Sequence, residues 1–262
     1  RNSAPGRGCF CGNLLHSGFI PRKNKIEIVA MNLNDLYKKV SAIPIGDFPP
    51  SALSGLLHGY ISVYSIVRVS PWLEDVYGSQ WDIHERIREI AGELADLIKD
   101  PSVTLEDRVG HIADLMGAYL TYSDMDFLDI ALDAAYGIIS PERNGEIVLP
   151  CRTPEMYRLL CSCYYFTGEE ECAKLAKEIV KEFKTRVLEN NLTDGEVWAY
   201  LHSFEFYANI VGEGEVCEYV VNHLKDKMLF LLKSDVMHET MLSQVLHFNV
   251  LASCEYVKLE NN

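Results

Sequence analysis

No apolar run in this 262-residue chain reaches the roughly 18 to 20 residues that a membrane-spanning helix needs. The longest candidate, residues 53–69, is interrupted by Gly55, His58, Gly59 and Arg68, so the sequence reads as that of a soluble protein without a membrane partner. The first 30 residues lack the apolar core, roughly 7 to 15 residues long, of a secretory signal. Cysteines at 151, 161, 163, 172, 217 and 254 follow no small-disulfide spacing, so reduced thiols and a cytoplasmic location are expected. Basic charge is scarce as well: 24 Lys and Arg face 38 Asp and Glu, for a net charge of -14. A body this acidic repels a phosphate backbone, which argues against nucleic acid as a partner.

Catalytic and cofactor motifs are missing too. There is no phosphate loop with its Lys and Ser/Thr, and no serine nucleophile elbow. Gly212, Glu213 and Gly214 lack the third glycine and the preceding strand of a dinucleotide fingerprint. His238-Glu239-Thr240-Met241-Leu242 begins like the helical zinc-protease motif, but Leu242 stands where the second imidazole is needed. The reading is therefore no cofactor and no metal.

What remains is helical. Apolar residues recur at helical spacing in Ile83, Ile87, Ile90, Leu94 and Ile98, with Pro101 as a stop. Similar stripes follow in Ile112, Met116, Tyr119 and Leu120, then in Phe127, Ile130, Ala131, Ala134 and Ile138. Further along come Tyr157, Leu160, Cys161 and Tyr164, then Cys172, Leu175, Ala176, Ile179, Val180 and Phe183. Strand signals at residues 26–30 and 146–149 are too short and isolated to build a sheet.

A faint repeat runs through these helices. AYLTYSDMDFLDIA at 118–131 aligns with CYYFTGEEECAKLA at 163–176 at an offset of 45, and YANIVGEGEVCEYV at 207–220 follows at 44. Units of this length hold two helices and their turns. The fold expected is all-α, with antiparallel helical hairpins stacked at about 44 to 45 residues as an open right-handed array or an incomplete α/α toroid. Full closure with six pairs would need about 270 residues, whereas residues 31–262 supply 232.

Two domain-level segments are expected. Residues 1–30 carry five basic residues against Glu27 alone and read as a flexible, non-native or upstream leader; residues 31–262 form one helical-repeat domain that begins at Met31.

Cys161 and Cys163 lie about 200° apart around a helix axis, so they cannot face one metal without distorting it. The repeat places Phe127, Cys172 and Val216 in equivalent slots, which marks the slot as apolar filler. The carboxylates Asp124, Asp126, Glu169, Glu170 and Glu171 open the second helix of each unit, where unpaired backbone N–H groups and the helix dipole favour negative charge. A row of them on one edge would also suit a basic partner.

The long connection from Asn144 to Glu155 directs attention to the residues that precede the first helix of each pair. Arg152, Glu155, Asp194 and Glu196, joined by Trp198, are candidate ligand or partner contacts. His202, Glu205 and Asn209 fall on one side of a helix, where a carboxylate would raise the pKa of the imidazole. The function expected is a scaffold or partner-binding role. The alternative is a carbohydrate-binding or carbohydrate-active α/α protein with a carboxylate-lined cleft. Its partners are then protein, or a polar small molecule or glycan.

Overall fold

The computed structural model describes residues 33–139 and 147–188, together with 192, 193, 196, 199, 200, 203, 207 and 210–212, and for 33–36 and 188 the backbone alone. These residues form an all-α fold: α1 (Leu33–Ser41), α2 (Leu53–Val69), a four-residue α3 (Glu74–Tyr77), α4 (Gln80–Lys99), α5 (Leu105–Tyr122), α6 (Met125–Ile139), α7 (Pro154–Thr167) and α8 (Glu170–Leu188). Short 3-10 turns at Ile45–Asp47, Pro50–Ala52 and Pro71–Leu73 join the first helices. Among the described residues no helix is long and apolar enough to cross a membrane. Residues 147–149 form no strand; they lie in the connection between α6 and α7.

Each helix starts and stops where its local chemistry dictates. The Ser79 hydroxyl accepts from the backbone N–H of Asp82 at 3.1 Å and Thr104 accepts from that of Asp107 at 3.2 Å, so α4 and α5 begin on side-chain caps. Thr153 does the same for α7 by accepting from the Met156 N–H at 3.3 Å, with Pro154 at the first helical position. α4 ends ahead of Asp100-Pro101, because the residue before a proline is forced out of helical geometry.

Stacking follows from the apolar stripes. The Ile83, Ile87, Ile90, Leu94 and Ile98 stripe of α4 is buried as its spacing predicts, and so are Cys172, Leu175, Ala176, Ile179, Val180 and Phe183 on α8. α6 differs by one position. Its buried line is Leu128, Ala131, Ala135 and Ile139, with Phe127, Ile130, Ala134 and Ile138 half-buried beside it. Asp126, Asp129 and Asp133 mark the exposed face, but the rest of the helix is apolar over a broad arc, so periodicity leaves the buried line open by one position and packing on α5 fixes it.

α5 is the hub. It packs against α2, α4, α6 and α7, while α2 also meets α4 and α7 meets α8. Val109, Ile112, Ala113, Leu115, Met116 and Ala118 are all buried on α5, as a helix covered on several sides requires.

The hairpin turns share one device. Ser123, between α5 and α6, has φ 58°, and Gly168, between α7 and α8, has φ 74°. Gly212, with φ 75°, is the residue that the offset of 44 aligns with Gly168. In each of the first two turns the backbone N–H of this residue donates to the carbonyl four residues back, from Ser123 to Tyr119 and from Gly168 to Tyr164. Asp124 Oδ1 then accepts from the Asp126 N–H at 3.0 Å, and Thr167 Oγ1 from the Glu169 N–H at 3.2 Å, so polar side chains at these turns meet free donors of the next helix.

The left-handed conformation strains any residue with a Cβ by about 1 to 2 kcal/mol. No side chain crowds Gly168, so strain alone decides the effect of substitution there. Gly168→Ala is expected to lower stability by about 1 kcal/mol and Ser123→Gly to raise it by up to about that amount. Urea denaturation followed by circular dichroism checks both; an unchanged midpoint in Gly168→Ala would contradict the turn geometry.

Candidate functional site

Two features stand out from the helical frame: a buried charged centre around Asp114 and an exposed aromatic edge. Asp114 lies on α5 with no side-chain exposure, and Arg158 on α7 is 4% exposed. The Arg158 guanidinium donates to Asp114 Oδ1 in a close ion pair. His58 on α2 donates through Nε2 to the same oxygen at 3.1 Å. One carboxylate thus ties three helices together.

Small residues let the helices close around it. A Cβ on Gly110 would stand 3.2 Å from Cγ of Glu155 and 3.5 Å from Nη2 of Arg158, so α7 approaches α5 where a side chain is missing. On the other side of Asp114, the Gly117 position faces Cε1 of His58 at 3.8 Å and the hydroxyl of Tyr207 at 3.7 Å. Tyr157 donates to the Tyr207 carbonyl at 3.3 Å, and Ser203 to the Pro154 carbonyl at 3.0 Å, drawing residues 203 and 207 onto α7.

The electrostatics follow from this packing. Burial by itself would push the Asp114 carboxyl up, but Arg158 and the hydrogen bond from His58 override it and hold the group well below the usual carboxylate range. His111, one turn earlier on α5, is pushed down by burial, with Asp114 and Asp107 opposing and Arg158 adding to the fall. Burial raises the Tyr207 phenol to about 12. An ionised carboxylate already committed to a guanidinium and an imidazole is poorly placed to take a proton from a substrate. The centre is an internal tie.

The residues singled out by sequence divide. Arg152 Nε donates to Glu182 at 2.9 Å and its Nη2 lies 2.7 Å from the same carboxylate, fastening the approach to α7 onto α8. Glu155 lies in the first turn of α7 against Gly110. Glu196 accepts from the Thr193 N–H at 2.8 Å, while Thr193 Oγ1 accepts from the Glu196 N–H at 3.3 Å, and Arg186 pairs with the same carboxylate. Burial raises the Tyr200 phenol to about 12, Arg186 opposes, and the charges of Glu196 and Glu155 add to the rise. Asp194, Trp198, His202 and Glu205 lie outside the described residues.

Cys161, Cys163 and Cys172 are buried in the core. Cys163 and Cys172 meet across the α7–α8 hairpin through a thiol hydrogen bond; that bond and burial raise the Cys163 thiol, and Cys172, its acceptor, is lowered.

The second feature was not singled out by sequence. Trp72 is 67% and Trp81 70% exposed, far more than such large apolar rings usually are. Trp81 stacks toward His84 with centroids 6.3 Å apart, and His84 stacks on Tyr122 at 4.4 Å. Tyr64 flanks His84 at 5.9 Å and Phe127 flanks Tyr122 at 6.1 Å. Tyr119, one turn before Tyr122, meets Phe166 at 5.7 Å, and Phe166 meets the exposed Tyr165 at 5.1 Å. These contacts gather the C-terminal ends of α2, α5 and α7 and the N-terminal ends of α4 and α6 into one aromatic edge.

No protein-family model, curated protein or solved structure matches the chain. The fold defines it as an all-α protein of stacked helical hairpins, and the two features above carry the functional argument.

Removing one partner of a buried ion pair typically costs about 3 to 5 kcal/mol, because the other charge is left uncompensated. Arg158→Met and Asp114→Leu are each expected to destabilise by that order, and the double variant by less than either alone. Urea denaturation of the three variants measures this; additive losses would show that the pair is not coupled.

The two titrating groups act in separate pH windows. His111 is lowered in the folded protein from its ordinary 6.5, so the unfolded chain takes up its proton first and stability falls as pH drops through and below 6.5. Asp114 is lowered from 3.8, so its contribution is present above that pH and is lost only below it. Between pH 7.5 and 5.5, His111→Leu is therefore expected to flatten the fall in the urea midpoint. An equal fall in wild type and variant would rule out His111 as a source.

Proposed function

We propose that this protein is a noncatalytic helical-repeat scaffold that docks a protein partner on its aromatic edge. The hairpins, read as an open right-handed array with a period of 44 to 45 residues, serve as the rigid support. The observation that carries the reading is Trp81, a large ring 70% exposed at the head of a stack through His84 to Tyr122. Leaving such a ring in water forgoes its burial energy. Aromatic anchors of this kind are enriched where partners dock. Function in this reading rests on surface complementarity and needs no cofactor.

Carbohydrate binding or turnover is the second reading. It is favoured by Glu155 and Glu196, two carboxylates whose charges both act on the Tyr200 phenol. In that reading Arg152, Asp194, Trp198, His202 and Glu205 complete a polar cleft with them.

Panning a random peptide display library on the intact protein tests the first reading. Enriched peptides are expected, and Trp81→Ala should weaken their binding at least tenfold without lowering the melting temperature. A failure to enrich any Trp81-dependent peptide, with a glycan bound and lost in Glu155→Gln, would replace the first reading with the second.

A further inference from the structure

The aromatic edge has a charge as well as a shape. Glu85 lies next to His84 on α4, its Oε1 3.8 Å from His84 Nδ1. Asp124 occupies the α5–α6 turn and spends Oδ1 on the Asp126 N–H. Both carboxylates act on the phenol of Tyr122. Against these stands Arg88, whose guanidinium lies 5.9 Å from the Tyr122 centroid and 4.0 Å from Glu85. The protein's own cation thus already uses this stack in the way a ligand's would: a planar guanidinium over a ring, with a carboxylate alongside.

We infer that the occupant of this edge is an extended, arginine-bearing peptide segment of a partner protein. The inference rests on the docking role proposed above and specifies its partner. Three physical arguments select this occupant. A guanidinium stacks on Trp81 and pairs with carboxylates at once, combining two interactions that neutral or anionic side chains cannot both make. An acidic segment, a nucleic acid or the same edge of a second copy brings negative charge to negative charge. Each contact at an exposed site is weak, so one arginine does not suffice, and several spaced along a strand are required to follow a stack running from Trp81 to Tyr122.

Isothermal titration calorimetry of the full chain with a twelve-residue Arg-Gly repeat peptide tests this, with Glu-Gly and Ser-Gly repeats as controls. The expected result is saturable one-to-one binding of the Arg-Gly peptide alone, weakening as salt rises. Trp81→Ala should reduce the affinity at least fivefold, and so should the double variant Glu85→Gln with Asp124→Asn. Asparagine at 124 retains the acceptor for the helix cap, and melting curves check that each variant is folded. Binding that ignores Trp81→Ala would be generic attraction to a chain of net charge -14 and would overturn the inference. So would the absence of saturable binding, or tighter binding of the Ser-Gly peptide. If panning yields Trp81-dependent peptides free of arginine while the Arg-Gly repeat does not bind, the docking role stands and the cationic partner falls.

Discussion

A single buried carboxylate constrains the arrangement of helices. Asp114 is fully enclosed, and a charge in that position is tolerated only when opposite charge and hydrogen bonds surround it. Those partners come from different helices: Arg158 from α7 and His58 from α2, both meeting Asp114 Oδ1 on α5. A slide of α7 along α5 by one turn, about 5.4 Å, would carry Glu155 off the gap at Gly110 and onto residues that have side chains. Sliding would separate guanidinium from carboxylate and strand both in the core. The ion pair and the gap at Gly110 therefore favour the same register of α7 against α5.

The glycines on α5 belong to the same constraint. Gly110 and Gly117 are seven residues apart, two turns of helix, and bracket Asp114 on one face. A helix interior with two glycines gives up roughly 0.5 to 1 kcal/mol at each relative to alanine. The close approach they permit, 3.2 Å from Gly110's virtual Cβ to Glu155, brings α7 near enough for Arg158 to reach its partner. Local propensity is thus lowered where the tertiary contact needs room. The turns favour the same arrangement: left-handed residues at 123 and 168 reverse the chain within two or three residues, so consecutive helices have little choice but to lie antiparallel.

Helices and turns were largely legible in the sequence, because amphipathic spacing and capping residues are local. The α4 stripe could be read residue by residue, since Glu85, Arg86, Arg88 and Glu89 make its other face unambiguous. α6 could be read only to within one position, because its neighbours in sequence are apolar on both sides of the buried line. The Asp114 centre was not anticipated, although a signal was present. In VGHIADLMGAYL an aspartate and a histidine interrupt an otherwise apolar stretch, and Arg158 does the same in MYRLLCSC. Ionisable residues in such settings seek each other, but pairing residues 44 positions apart requires knowing which helices touch. Before the helices, Arg152 links to Glu182, 30 residues on, and Glu196 to Arg186 and Thr193, and spacing in the sequence does not distinguish such links from a ligand site.

The aromatic edge was illegible for a different reason. Trp81, His84 and Arg88 follow helical spacing, which sequence reading assigns to a face without saying whether that face is covered. Only the assembled hairpins show that Tyr122, from the far end of α5, completes the stack and that no described helix covers Trp81. Physical chemistry separates this edge from the core that supports it. Around Asp114 the carboxylate and guanidinium are paired and enclosed, away from the surface a partner would meet. At the edge, Trp81 is exposed, and Glu85 and Asp124 make solvent-accessible contacts, with Arg88 and with the Asp126 N–H, so exposed apolar area and accessible charge lie side by side. A surface of that composition gains most from a partner that brings planar, positively charged groups, and a rigid interior lets it present them with little ordering cost.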